Sequence, residues 1–185
     1  VEIYIEAVPR TYDGTQLRSL FTYKNFHVQG DSIAVFRGPC SVALTEMVDM
    51  EDVLDADHIY SEDMLHFILE HFDLDLEKTI IRQRLLIAII KERLEGRGVL
   101  SIHRDGDDLY KGLEKLSVSI ATLSPVSSMI HTGLNISSKN TPVKTVSLTD
   151  LGLTDPLDFG REIAEAYRSE LTGIKAARCK VRGVS

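Results

Sequence analysis

A chain of 185 residues with ordinary globular composition is long enough to bury a core and is expected to form one domain over residues 1–185. A formal net charge of −7 excludes a nucleic-acid binder held by a general basic field. Two cysteines, Cys40 and Cys179, without Cys-x-x-Cys spacing exclude a disulfide framework and predict a reducing, cytoplasmic location.

The longest apolar run, Leu85–Ile90, is too short to cross a bilayer, and Ile3–Val8 is too short and too acidic for a signal peptide. Scarce amides beside many Glu, Lys and Arg suggest a heat-loving source.

Glu2–Val8 alternates Ile3, Ile5 and Ala7 against Glu2, Tyr4 and Glu6, the pattern of a half-buried strand ended by Pro9. Tyr12-Asp13-Gly14-Thr15 is turn chemistry leading into a short helix near Gln16–Asn25, with Leu17, Leu20 and Phe21 on its inner face. Ser32–Phe36 reads as a second strand, left through Arg37-Gly38-Pro39, with Val42–Val48 as its hairpin partner.

The stretch Asp49–Asp63 carries Asp49, Glu51, Asp52, Asp55, Asp57, Glu62 and Asp63. Such carboxylates suit a hard divalent cation, although the glycine-bearing calcium-loop spacing is missing. The plainer reading, a solvated loop favouring the amino end of the next helix, is preferred. Ser61 reads as the cap of that helix, over about 62–72, with Leu65, Ile68, Leu69 and Phe72 facing the core. His66 and His71, five apart, fall off a common helical face, so they read as surface or edge histidines rather than a zinc pair.

Asp75 starts the strongest predicted helix, Leu76–Glu95, which Gly96 and Gly98 end. Its middle is apolar almost all round, which predicts cover on more than one side and a central place across a sheet.

Three strands follow by period: Val99–His103, Lys115–Thr122 and Val126–Ile136, with turns at 105–108 and 111–112. This ribbon gathers Arg104, Asp107, Asp108 and Lys115 near one end of a sheet, a place to hold a charged ligand. Ser137–Pro142 is a loop and Val143–Ser147 a short edge segment. A final helix runs from Asp155-Pro156 to about Leu171, with Gly173 ending it and a solvated basic tail beyond.

The order of these parts over about 76–171 resembles the catalytic domain of biotin and lipoate protein ligases. The residues that carry the likeness are Arg104-Asp105-Gly106-Asp107-Asp108-Leu109, the turn Lys111-Gly112, Lys115-Leu116-Ser117-Val118-Ser119, and Thr132-Gly133-Leu134-Asn135-Ile136. Thr145-Val146-Ser147-Leu148 before a helix resembles the family's Thr-Ser-Leu segment. The whole chain is also similar to a group of small archaeal proteins.

The resemblance implies an α+β fold of class II synthetase type, a mixed, mostly antiparallel sheet covered by helices. It assigns Lys115 to the acid's carboxyl or acyl-phosphate oxygen, Arg104 to a second catalytic cation, and Asp108 to the phosphate and its Mg²⁺. Arg37 and Gly38 stand for the Gly-rich phosphate loop, here with one glycine and a proline that lacks an amide donor. Asp107, Ser117, Ser119, His131, Gly133 and Asn135 complete the implied ligand site. Val118 stands where the family has glycine, and neither cysteine stands where the octanoyl-transferring branch keeps its nucleophile.

Each residue also has a plainer account. Lys115 reads as a solvated strand lysine, Asp107 and Asp108 as a turn pair, and Arg104 as a partner for Asp105 or Asp107. His131 reads as a satisfied core or edge histidine, and Asn135 as a strand-end residue bonding nearby backbone.

Three functions are therefore expected in turn. The first is a ligase- or acyltransferase-like protein for a small carboxylic acid or its adenylate, using ATP and Mg²⁺, with a homodimer or higher homo-oligomer possible. The second is a catalytically silent binding or assembly relative. The third is a metal-dependent hydrolase built on residues 49–63.

Overall fold

The computed structural model describes residues 1–55 and 59–184. In chain order its elements are β1 (Glu2–Ile5), α1 (Phe21–Phe26), β2 (Ser32–Val42), a 3-10 turn (Leu44–Glu46) and α2 (Met50–Asp55). Then come β3 (Ile59–His71), α3 (Leu76–Gly96), β4 (Ile102–Asp105), β5 (Asp108–Lys111) and β6 (Glu114–Lys115). The last are β7 (Ser117–Leu123), β8 (Ser128–Asn135) and α4 (Pro156–Arg178).

Among the described residues the main sheet has five strands in the order β1-β2-β3-β8-β7, and β4-β5-β6 form a second, three-stranded sheet. β1 runs parallel to β2; the other pairs in the main sheet are antiparallel. The architecture is thus α+β with a mixed, mostly antiparallel sheet.

Alternation along the strands divides the main sheet into two faces. One carries Ile33, Val35, Leu65, Phe67, Leu69, Ile130 and Leu134, and it packs beneath α3 and α4 through Leu86, Ile87, Ile90, Phe159 and Ile163. The other carries Ala34, Phe36, Met64, Ile68 and Met129, covered by Tyr12, Leu17 and Phe21. Gly160 lets α4 lie close on β2: a Cβ there would stand 2.6 Å from Val35 Cγ1.

Residues 62–72, expected to be helical, are strand β3 instead. β3 sits mid-sheet with both faces covered, and Met64–His71 is buried throughout, so its apolar run has no strand period to read. His66 and His71, expected at a surface or edge, are both fully buried.

The helix expected near 16–25 is only Phe21–Phe26, because Leu20 before it turns left-handed at φ 65°. No strand forms at 42–48: β2 itself runs on through Arg37-Gly38-Pro39 to Val42, with a bulge between Gly38 and Cys40. The acidic stretch begins as α2 and ends inside β3, while Ala56, Asp57 and His58 lie outside the described residues.

The strand expected at 99–103 starts at Ile102, since Gly98 and Ser101 both take positive φ. Of segment 143–147, Thr145 alone bridges, to Lys115. α4 passes through Gly173 to Arg178, so 174–178 is helix rather than tail.

α3 starts and ends as the sequence predicts, with the Asp75 carboxylate accepting from Lys78 N at 2.9 Å. Among the described residues no helix is long and apolar enough to cross a membrane.

Candidate functional site

A cavity of about 480 Å³ opens on the sheet face away from α3 and α4. Its floor is Met64 of β3, Val118 and Ile120 of β7, and His131 and Asn135 of β8. Register explains the grouping: Val118 and Ile120 stand opposite Gly133 and His131, so their side chains share a face. The walls come from distant segments, with Tyr12 and Leu17 on one side, 46–52 on another, and Asp107, Asp108 and Lys115 at the mouth.

Seven residues singled out in the sequence line this cavity: Asp107, Asp108, Lys115, Ser117, Ser119, His131 and Asn135. Arg37, Gly38, Arg104 and Gly133 do not. Arg104 is exposed and donates to the Gly106 carbonyl at 2.7 Å. Arg37 grips Asp63 through Nε and Nη2, with a shortest contact of 2.5 Å. A Cβ at Gly38 would stand 2.1 Å from the Arg10 carbonyl oxygen, so glycine there allows two backbones to meet. Gly133 is buried in the floor, where a Cβ would press on Met64 Cε at 2.9 Å.

Lys115 is held by its backbone on both sides. Its N–H donates to Lys144 O and its carbonyl accepts from Val146 N, each at 3.1 Å, while it pairs with Tyr110 across the small sheet. Its Nζ lies 2.8 Å from Asp108 Oδ2. Burial works against the Lys115 ammonium, but the Asp108 carboxylate outweighs it and raises the pKa, so this cation persists at neutral pH. Burial pushes the Asp108 carboxyl up from its ordinary range, and Lys115 offsets part of that.

The remaining polar groups at this end are engaged. Gln83 of α3 donates to Asp107 Oδ2 at 2.7 Å and to Ser119 Oγ at 2.9 Å. Ser117 Oγ accepts from Leu109 N at 2.8 Å. Asn135 Nδ2 donates to the Lys115 carbonyl at 3.3 Å, the nearby-backbone bond expected of it.

At the other end, His131 stacks on Tyr12 with ring centroids 3.5 Å apart, and its Nε2 lies 3.1 Å from His66 Nδ1. His66 Nε2 lies 3.1 Å from the Gly38 carbonyl oxygen. Burial pushes His66 down to about 4 and His131 well below its ordinary value, so both rings are neutral. Tyr12 and His66 are not among the residues the sequence points to, because Tyr12 opens a turn motif and His66 lies in a stretch with helical spacing. The cue that would have found His66 is its fixed partnership with a glycine carbonyl, which no local pattern carries.

Between β2 and β3 the sequence contains no Gly, Lys or Arg over residues 43–58. Glu46, Asp49, Glu51 and Asp52 face the cavity from this connection, and Glu46 pairs with Arg18 at 2.5 Å. Among the described residues no three His, Cys, Asp or Glu side chains are grouped to hold a metal ion. Cys40 is buried, and burial pushes its thiol up to about 12, which disarms it as a nucleophile.

The sheet, its long covering helices and the cavity on the open face define a ligase-like fold of the biotin and lipoate type. The biotin protein ligase of Aquifex aeolicus in complex with biotin and ATP matches at TM-score 0.61 and 13% identity, over 95% of this chain and 72% of that one. A T. acidophilum protein described as "putative lipoate protein ligase", with bound lipoic acid, matches at TM-score 0.60 and 13% identity, over 91% and 84%. At that identity the likeness establishes the fold.

The chain belongs to the family described as Domain of unknown function (DUF366), which matches residues 1–182. It is similar to a protein of unknown function from Pyrococcus horikoshi, at 41% identity and TM-score 0.93 over 100% of this chain and 99% of that one. It is also 42% identical over 170 residues to the uncharacterized protein MJ0805 of Methanocaldococcus jannaschii, covering 89% of this chain and 76% of the relative.

Proposed function

We propose that this chain is a ligase- or acyltransferase-like protein whose cavity binds a small carboxylic acid or its acyl-adenylate, with Lys115 on the carboxyl. The observation that supports this most is the Lys115 ammonium, half-buried and backbone-anchored, at the mouth of a cavity floored by Met64, Val118 and Ile120. An apolar floor takes the body of such an acid, and a fixed cation takes its charge. The ligand carboxylate competes with Asp108 for Lys115.

ATP with Mg²⁺ is the co-substrate that adenylation needs, and the residues present do not fit its phosphates. Arg37 is committed to Asp63, Gly38 is closed by Arg10, and the β2–β3 connection offers carboxylates where a triphosphate needs donors. Asp108 and Asp107, the candidate carboxylates for Mg²⁺, are taken by Lys115 and Gln83. The reversed charge of that connection favours a second reading, a ligase-like binding protein without turnover.

Thermal unfolding with biotin, lipoate or octanoate, each with and without ATP and Mg²⁺, tests both. An acid should raise the Tm of the wild type and leave Lys115→Ala unmoved. A further rise with ATP and Mg²⁺ supports adenylation, and none supports the silent reading. No shift with any acid at millimolar concentration overturns the proposal.

A further inference from the structure

The cavity has two polar poles. His131 and Asn135 share a strand face and stand four residues apart on β8, roughly 13 Å of strand. Asn135 adjoins Lys115, and His131 belongs to the other end.

At the His131 pole the protons are fixed by elimination. The Gly38 carbonyl can only accept, so His66 Nε2 must carry the hydrogen that bridges the 3.1 Å between them. A neutral ring with that hydrogen has a bare Nδ1, which must accept from His131 Nε2. His131, neutral as well, is left with a bare Nδ1. Among the described residues none hydrogen-bonds to that nitrogen, and Tyr12 stacked at 11° fixes the ring plane. His131 lines the cavity and keeps 3% of its surface exposed.

We propose that His131 is a specificity-determining residue: its Nδ1 accepts a hydrogen bond from an N–H group on the bound acid, remote from the carboxyl. His66 and the Gly38 carbonyl are positioning groups that hold the required tautomer. The ligand class is a small carboxylic acid bearing an ammonium, amide or ureide N–H, in preference to a plain aliphatic acid. The inference rests on the cavity being the acid site. An acid without a donor buries the His131 lone pair unpaired, and a site built around a hydrogen bond rejects the analogue that lacks it.

Calorimetric titration of the full chain with octanoate, 8-aminooctanoate and biotin tests this. The donor-bearing acids should bind about tenfold tighter than octanoate, and the ammonium and ureide arms show which source of N–H is preferred. His131→Phe, which keeps a ring for Tyr12, should bring the ratio close to one. Equal affinity for octanoate and both donor acids in the wild type overturns the inference while leaving the acid-binding reading intact.

Long-range ¹⁵N NMR of the wild type gives an independent readout that does not depend on the variant folding. Its expected signature is His131 with protonated Nε2 and bare Nδ1, changed in His66→Phe; the opposite tautomer overturns the inference. If no acid binds, 2-imidazolidinone, a cyclic urea without a carboxyl, still decides. A shift of His131 Nδ1 on its addition sustains the donor site, and no shift ends it.

Discussion

The two faces of the main sheet use the same strands for opposite purposes. Toward α3 and α4 the strands present Val35, Leu65, Phe67 and Leu134, closed by Leu86, Ile87 and Phe159 into a continuous apolar layer. Toward the cavity side the intervening positions carry Met64, His66, Ile68 and Glu70 of β3 and Met129, His131 and Asn135 of β8. Both faces also bury polar groups that must be satisfied one by one: His71 meets the Tyr167 hydroxyl at 2.9 Å on the helix face, while His66, Glu70 and His131 lie on the other. Glu70 shows the cost: its Oε1 accepts from Leu20 N and Ser127 Oγ at 2.7 Å each, while among the described residues Oε2 has no hydrogen-bond partner. Packing against the helices and lining of the cavity side therefore alternate along a single strand, residue by residue.

The sharpest break of that comparison comes from one residue in β3 and one in β7, the strands on either side of β8. Leu65→Ala on the helix face should lose about 3 kcal/mol of unfolding free energy in urea titration, whereas Val118→Ala on the cavity floor should lose about 1 kcal/mol, since empty space already adjoins it. Gly38→Ala should match or exceed the Leu65 loss, because its Cβ would meet backbone rather than a flexible side chain.

Acid should next find the buried histidines, His66 and His131 on the cavity side and His71 on the helix side. His66 has its folded pKa near 4, below the ordinary 6.5, so the unfolded chain takes up the proton earlier as pH falls. Its contribution is full above about pH 6.5 and is lost toward pH 4, on the order of 3 kcal/mol. His131, depressed by the same burial, adds to the same slope. Asp31, held low by His71, gives up its contribution only below about pH 4. Tm measured from pH 7 to pH 4 should fall, and His66→Gln should flatten that fall while leaving the Asp31 step below it.

Smaller effects sharpen the contrast. Asp75→Ala removes the α3 cap and should cost about 1 kcal/mol, read by urea titration. Lys115→Ala should change stability by less than about 1 kcal/mol, as a partly exposed pair allows, yet abolish acid binding.

What was legible in the sequence follows the same division. α3 announced itself by Asp75 at one end and an apolar middle, and α4 by Asp155-Pro156, because caps and helical period are local signals. The hairpin turn at Gly106-Asp107 was equally local, with Gly106 at φ 57°. β3 was not legible, since a strand buried on both faces spaces its leucines as a helix does. The mouth of the cavity was readable because Asp108 and Lys115 lie seven residues apart on one ribbon. Its far pole was readable only in part: the family resemblance pointed to His131 and Gly38, while Tyr12 and His66 join them only through the Tyr12–Cys40 bridge and pairing across β2, β3 and β8.

The central claim is that the open face, around Lys115, is where a small carboxylic acid binds. Amide chemical-shift mapping during titration with biotin, lipoate and octanoate tests it directly. At least one acid should move the amides of Lys115, Val118, His131 and Asn135 while those of Leu86, Ile90 and Ile163 stay still. Shifts confined to the helix-covered side, or none at saturating acid, would contradict it.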